Sequence, residues 1–116
     1  MSKGLLWAVL VPCTLISSAH AQSPAGDAVN GRRVYMSVGC YLCHGTVGQG
    51  SRPTGPHIAP NPMPYEAFAA VIRHPRNVMP PYTVAVLSDL DLGDIYAYLL
   101  TIPPLPDPQA AAILDR

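Results

Sequence analysis

Charge is scarce in this sequence. Asp, Glu, Lys and Arg make up 12% of its 116 residues, about half the globular average of about 25%. Seven basic side chains meet seven acidic ones, and that balance argues against nucleic acid, which is gripped by clustered Lys and Arg. A hydrophobic share of 49% rules out a chain kept unfolded by high charge and low apolarity. Strand signals are lacking as well, because no segment alternates convincingly with period two. The length allows one domain and hardly two. Proline, by contrast, is abundant: 14 residues against an average of about 5%. Prolines must sit in loops, since they lack the N–H that helices and sheets need.

A membrane-spanning run is lacking too. Residues 5–16 are uncharged and mostly apolar, but twelve residues at about 1.5 Å each reach only about 18 Å, short of a bilayer core of about 30 Å. Lys3 precedes this run, and Ala19-His20-Ala21 closes the segment with small residues at the −3 and −1 positions. The order reads as a secretory signal peptide over 1–21, cut before Gln22, which predicts a periplasmic protein with no stable membrane span. Cys13 lies inside this segment, where Pro12 fits a lipidated cysteine poorly. Residues 22–116 then contain six Arg, no Lys, no Trp and two cysteines. A domain this small buries little surface and often needs a disulfide or a bound cofactor as a staple.

Three helices are expected within a domain over 22–102. Asp27 can cap one running to about residue 38, with Gly31, Val34, Tyr35 and Val38 on one face. Gly31 costs about 1 kcal/mol there against Ala, which suggests close approach by another element. Tyr65, Phe68, Ala69 and Ile72 form the face of a second helix that ends before Pro75. Ser88 caps a third, with Leu92, Ile95, Tyr96 and Leu99 buried and Pro103-Pro104 as its stop. Residues 40–63 are rich in Gly and Pro and read as one long irregular segment, uncommon unless it is functional or wraps something. In the Pro-rich tail over 103–116, residues 103–108 favour extended polyproline and a turn of helix is expected over 110–114. Three helices joined by such loops enclose a poor core, so something else is expected to fill the middle.

Cys40-Tyr41-Leu42-Cys43-His44 supplies it. C-x-x-C-H is the attachment signature for a c-type haem: two thiols add to the two vinyl groups, and the next residue offers its imidazole to the iron. That ligation is made outside the cytoplasm, in keeping with export. A structural zinc site needs four ligands and finds only two thiols here. A thioredoxin-like redox pair expects strands that this sequence lacks. A disulfide between residues three apart closes too short a loop to stabilise much.

The other face of the iron calls for a sixth ligand. Methionine gives electron transfer and a raised reduction potential. Met36 precedes Cys40 on the first helix and is badly placed to cross the porphyrin. Met79 is favoured, in a Pro-rich loop 35 residues after His44, where the chain has had length to cross the haem edge. Met63, His57 and His74 remain alternatives.

Cys40-x-x-Cys43-His44, Gly55-Pro56 and Met79-Pro80-Pro81-Tyr82, ahead of the Leu87-Ser88-Asp89 helix start, resemble a class I c-type cytochrome. The resemblance covers about residues 26–102. It implies a small all-α fold, with three main helices and long Pro/Gly loops around one covalent haem c. The Gly31/Tyr35 helix and the Ile95/Tyr98/Leu99 helix resemble the family's crossed terminal helices, where the glycine lets an aromatic of the last helix sit close. The resemblance further implies that the Pro56 carbonyl accepts the N–H of His44. Arg73 and Arg76 are candidates for the haem propionates, since Arg suits carboxylates bidentately, and Tyr82 is a candidate to line the haem edge.

The implied function is that of an electron carrier, or an electron-accepting subunit, rather than an enzyme in its own right. It passes single electrons from a periplasmic dehydrogenase to a cytochrome or oxidase acceptor. The competing reading is a haem enzyme or gas sensor with an open or labile sixth position. The lysine ring by which larger relatives meet oxidases is missing, so docking is expected to rest on apolar contact.

Overall fold

Asp27 opens the first helix, α1 (Ala28–Ser37), in a computed structural model that describes residues 24–106. Its carboxylate accepts the free N–H groups of Val29 at 2.8 Å and Asn30 at 3.1 Å, two donors that the helix itself leaves unpaired. A four-residue helix, α2 (Tyr41–His44), follows at once. The long irregular segment leads to α3 (Tyr65–Arg73), and a second loop leads to α4 (Asp89–Leu100). Ser88 caps α4 by accepting the Asp91 N–H at 3.0 Å, and Asp89 and Asp91 sit at the positive end of its dipole. The fold is all-α: among the described residues the only extended pairing is one bridge between Ser51 and Gly55. The signal peptide expected over 1–21 and the helical turn expected over 110–114 lie outside the described residues.

α1 and α4 form the principal helix contact. A Cβ on Gly31 would overlap the carbonyl oxygen of Asp94, so the glycine admits the backbone of α4. The resemblance implied room for an aromatic ring instead. The aromatic contact lies one turn further on, where the Tyr35 and Tyr98 rings pack 5.6 Å apart.

α4 is buried more widely than its expected face. Besides Leu92, Ile95, Tyr96 and Leu99, it buries Gly93, Asp94 and Tyr98. The reason is that it is clasped from two sides, by α1 and by α3. On the α3 side, Tyr96 packs against Tyr65 and Phe68 at 5.2 and 5.3 Å. Asp94 tolerates burial because both of its oxygens are used. Oδ1 accepts the Asp27 N–H at 2.7 Å and Oδ2 accepts from Asn30 Nδ2 at 2.7 Å. The same carboxylate therefore ties the start of α1 to the middle of α4.

The irregular segment between α2 and α3 is closed on itself. The Gly48 carbonyl accepts both Ile58 N–H at 2.8 Å and Ala59 N–H at 3.0 Å, and Gly50 N–H returns to the His44 carbonyl at 2.8 Å. Gly50 has φ of +75°, and a Cβ there would run into the His57 backbone. Only glycine meets both demands comfortably. No helix among the described residues is long and apolar enough to cross a membrane.

Candidate functional site

α2 is a single turn, and its local bonds explain its geometry. The Cys40 carbonyl accepts His44 N–H at 3.0 Å, Gly45 N–H closes on Tyr41 at 3.0 Å, and Gly45 at φ +77° ends the helix. Residues at i, i+3 and i+4 share a helical face, so the turn carries Cys40, Cys43 and His44 to one side. All three line a cavity of about 810 Å³, together with Phe68, Ile72 and Met79. This falls within the size range of cofactor pockets, about 300–1,000 Å³. Cys40 and Cys43 are free thiols.

His44 Nδ1 lies 2.8 Å from the Pro56 carbonyl oxygen. A carbonyl can only accept, so Nδ1 carries the proton and Nε2 keeps its lone pair free for a metal. The local chain explains how Pro56 arrives there. Thr54 Oγ1 donates to the Cys43 carbonyl at 3.1 Å, and a Cβ on Gly55 would press against that same carbonyl. The glycine lets residues 54–56 lie flat against α2.

Burial pushes the Cys40 thiol up to about 11. A thiol–disulfide oxidoreductase needs the opposite, an attacking cysteine held low. Among the described residues, no group of three or more His, Cys, Asp or Glu is placed to hold a metal ion.

Met79 is half-buried on the cavity wall, but Met63 lines the cavity too, 44% exposed. His74 is also on the wall, while His57 faces a separate, smaller pocket. Met36 packs against the helical core, away from the cavity. Arg76 reaches the cavity wall, and so does Arg52, which sequence reasoning did not single out.

Arg73, expected beside the haem propionates, is not among the residues that line the cavity. Its Nη1 donates to the carbonyls of Tyr82 and Leu87, both at 2.8 Å, and its Nη2 pairs with Asp89 Oδ1 at 2.6 Å. Three oxygens on the loop over 74–88 and the start of α4 draw the guanidinium away from the cavity.

Three phenols were missed as supports of the site. Tyr35 donates to the Gly45 carbonyl at 2.7 Å, Tyr98 to Thr46 at 2.8 Å and Tyr82 to Val38 at 3.1 Å. They pin the main chain on both sides of the Cys40–His44 turn. Nothing in their periodicity distinguishes them from ordinary core tyrosines.

A family model described as cytochrome C oxidase, cbb3-type, subunit III matches residues 26–99. The chain belongs to this family of class I c-type cytochromes. Comparison with curated proteins and with solved structures found no match.

Cytochromes of this family bind haem c and serve haem-based electron transfer. The residues of this cytochrome fit such a group. Two free thiols, an imidazole with its Nε2 lone pair free and thioether sulfurs line one largely apolar cavity. Soft sulfur and imidazole donors are a set that suits iron.

Proposed function

We propose that this cytochrome passes single electrons between a periplasmic dehydrogenase or related oxidoreductase and a downstream cytochrome or oxidase. One haem would be held through Cys40 and Cys43, with His44 Nε2 and the Met79 sulfur as the atoms that would bind its iron. When bound, it supplies an iron that changes by one electron between ferric and ferrous states.

The chain's own residues do the rest. The Pro56 carbonyl holds the His44 Nδ1 proton, which fixes the ring and raises the basicity of Nε2. Phe68 and Ile72 give the cavity an apolar lining. Arg76, which lines the cavity, is the cation for the propionates. Residues 1–21 direct export, which places the thiols where haem attachment occurs.

The observation that carries this reading is the convergence of both thiols, the carbonyl-fixed imidazole and Met79 on one cavity. The test is expression of the full chain with haem-attachment machinery, followed by mass spectrometry and spectroscopy. A mass gain of one haem, and a ferric sulfur-to-iron charge-transfer band, are expected. Colourless protein of unchanged mass overturns the reading. Rapid binding of CO by the reduced protein at neutral pH points instead to the enzyme or gas-sensor alternative.

A further inference from the structure

The loop over 74–88 carries Met79 and contains no helix or strand. Leu87 anchors it in the core, and a short set of hydrogen bonds from outside the loop does the rest. Tyr82 N–H donates to the Ile72 carbonyl at 3.1 Å, and its hydroxyl to Val38 at 3.1 Å. The other side chain that bonds the loop from outside is Arg73, at the end of α3. Both protons of its Nη1 are used, on the Tyr82 and Leu87 carbonyls. Its side chain is only 16% exposed.

A cation at a helix C-terminus ordinarily serves its own helix's last carbonyls. Arg73 serves instead two carbonyls of the following loop, five residues apart, plus the first residue of α4. It thereby fixes the loop's return path downstream of Met79. Only a planar guanidinium presents enough donors in a rigid fork for three acceptors; a lysine ammonium is a point charge on a flexible stem.

We propose that Arg73 is a positioning residue: it holds the loop so that the Met79 sulfur stays at the sixth iron position. The proposal rests on the reading of Met79 as a ligand. Loss of the fork leaves the Tyr82 and Leu87 carbonyls without their charged donor. The loop gains freedom, and a ligand from solution competes more easily for the iron. The Asp89 arm contributes little, because that carboxylate is 76% exposed.

The experiment uses ferric holoprotein and imidazole as the competing ligand. Wild type, Arg73→Gln, Arg73→Lys, Asp89→Asn and Met79→Ala are compared by charge-transfer band and imidazole affinity. Arg73→Gln is expected to retain its haem by mass and to bind imidazole about tenfold more tightly, equivalent to one lost charge-assisted hydrogen bond. Arg73→Lys falls between it and wild type, and Asp89→Asn matches wild type. If Arg73→Gln does not mature, Arg73→Lys carries the test, with about threefold tighter binding expected from partial loss of the fork.

A Met79-dependent band with unchanged imidazole affinity in the Arg73 variants overturns the role of Arg73 alone. Lowered thermal stability with that affinity unchanged does the same, since it marks a purely structural bond. A wild-type spectrum without the band, and indifferent to Met79→Ala, overturns the ligand reading and the proposal with it.

Discussion

Tyr35 and Tyr98 lie ring against ring, tilted by 59°, and donate their hydroxyls to adjacent carbonyls, those of Gly45 and Thr46. One phenol comes from α1 and the other from α4, so the helix pair grips the chain just after His44 at two successive peptides. Tyr35→Phe and Tyr98→Phe should each cost about 1 kcal/mol, the net worth of a typical hydrogen bond. Because the rings touch and their acceptors are neighbours, the double variant should depart from additivity by at least about 0.5 kcal/mol. Denaturant unfolding of the four holoproteins, followed by helical circular dichroism, measures both quantities.

Stability should fall on the alkaline side. Burial pushes the Tyr35 phenol well above the ordinary tyrosine range, with the neighbouring Cys40 and Tyr98 adding to the shift. Tyr65 and Tyr82 are shifted in the same direction, again chiefly by burial. A phenol whose folded pKa is raised keeps its proton longer in the folded state than in the unfolded one. Its contribution is therefore complete below about pH 10, the unfolded value, and is lost as pH rises toward the folded value. Unfolding free energy measured from pH 8 upward should be flat and then decline, and Tyr35→Phe should make the decline shallower. An equally steep decline in Tyr35→Phe would show that other groups control it.

Gly31→Ala should be severe for so small a change. The added methyl meets the Asp94 carbonyl and the start of the Ile95 peptide, and backbone cannot rotate aside as a side chain can. The usual gain of about 1 kcal/mol from replacing a helical glycine is outweighed. Overpacking costs about 1–3 kcal/mol or more, so a net loss of about 2 kcal/mol is expected in thermal or denaturant unfolding. A variant as stable as wild type would mean that the two helices separate freely.

Three substitutions separate the roles at the iron. Met79→Ala should keep the haem attached, abolish the charge-transfer band and lower the reduction potential. Met63→Ala should leave all three unchanged; the reverse pattern would assign the sulfur to Met63. His44→Ala should block maturation or leave a mis-ligated haem, and a normal spectrum from it would contradict the proximal role.

Local signals carried far. The caps at Asp27 and Ser88 and the break before Pro75 are short-range chemistry, and α1 and α4 begin, and α3 ends, where those residues dictate. α2 was illegible because four residues cannot display a 3.6-residue period. Asp94 lies off the apolar face of α4, and its burial follows from partners more than 60 residues away in sequence. The direction taken by Arg73 is another such case. A long side chain at a helix end goes where acceptors gather, and these are loop carbonyls, which are the same in every amino acid. The motif around Cys40, by contrast, is compact in sequence because its chemistry is compact in space.

The imidazole of His44 leans on a piece of main chain. Replacing the side chain at position 56 leaves that oxygen in being, so the ring's tilt is inherited from the route of the loop and from no single residue's identity. Detuning the iron from this side would take a change that re-routes the loop, such as a bulkier residue at Gly55, whose bare α-carbon lets that route hug the turn.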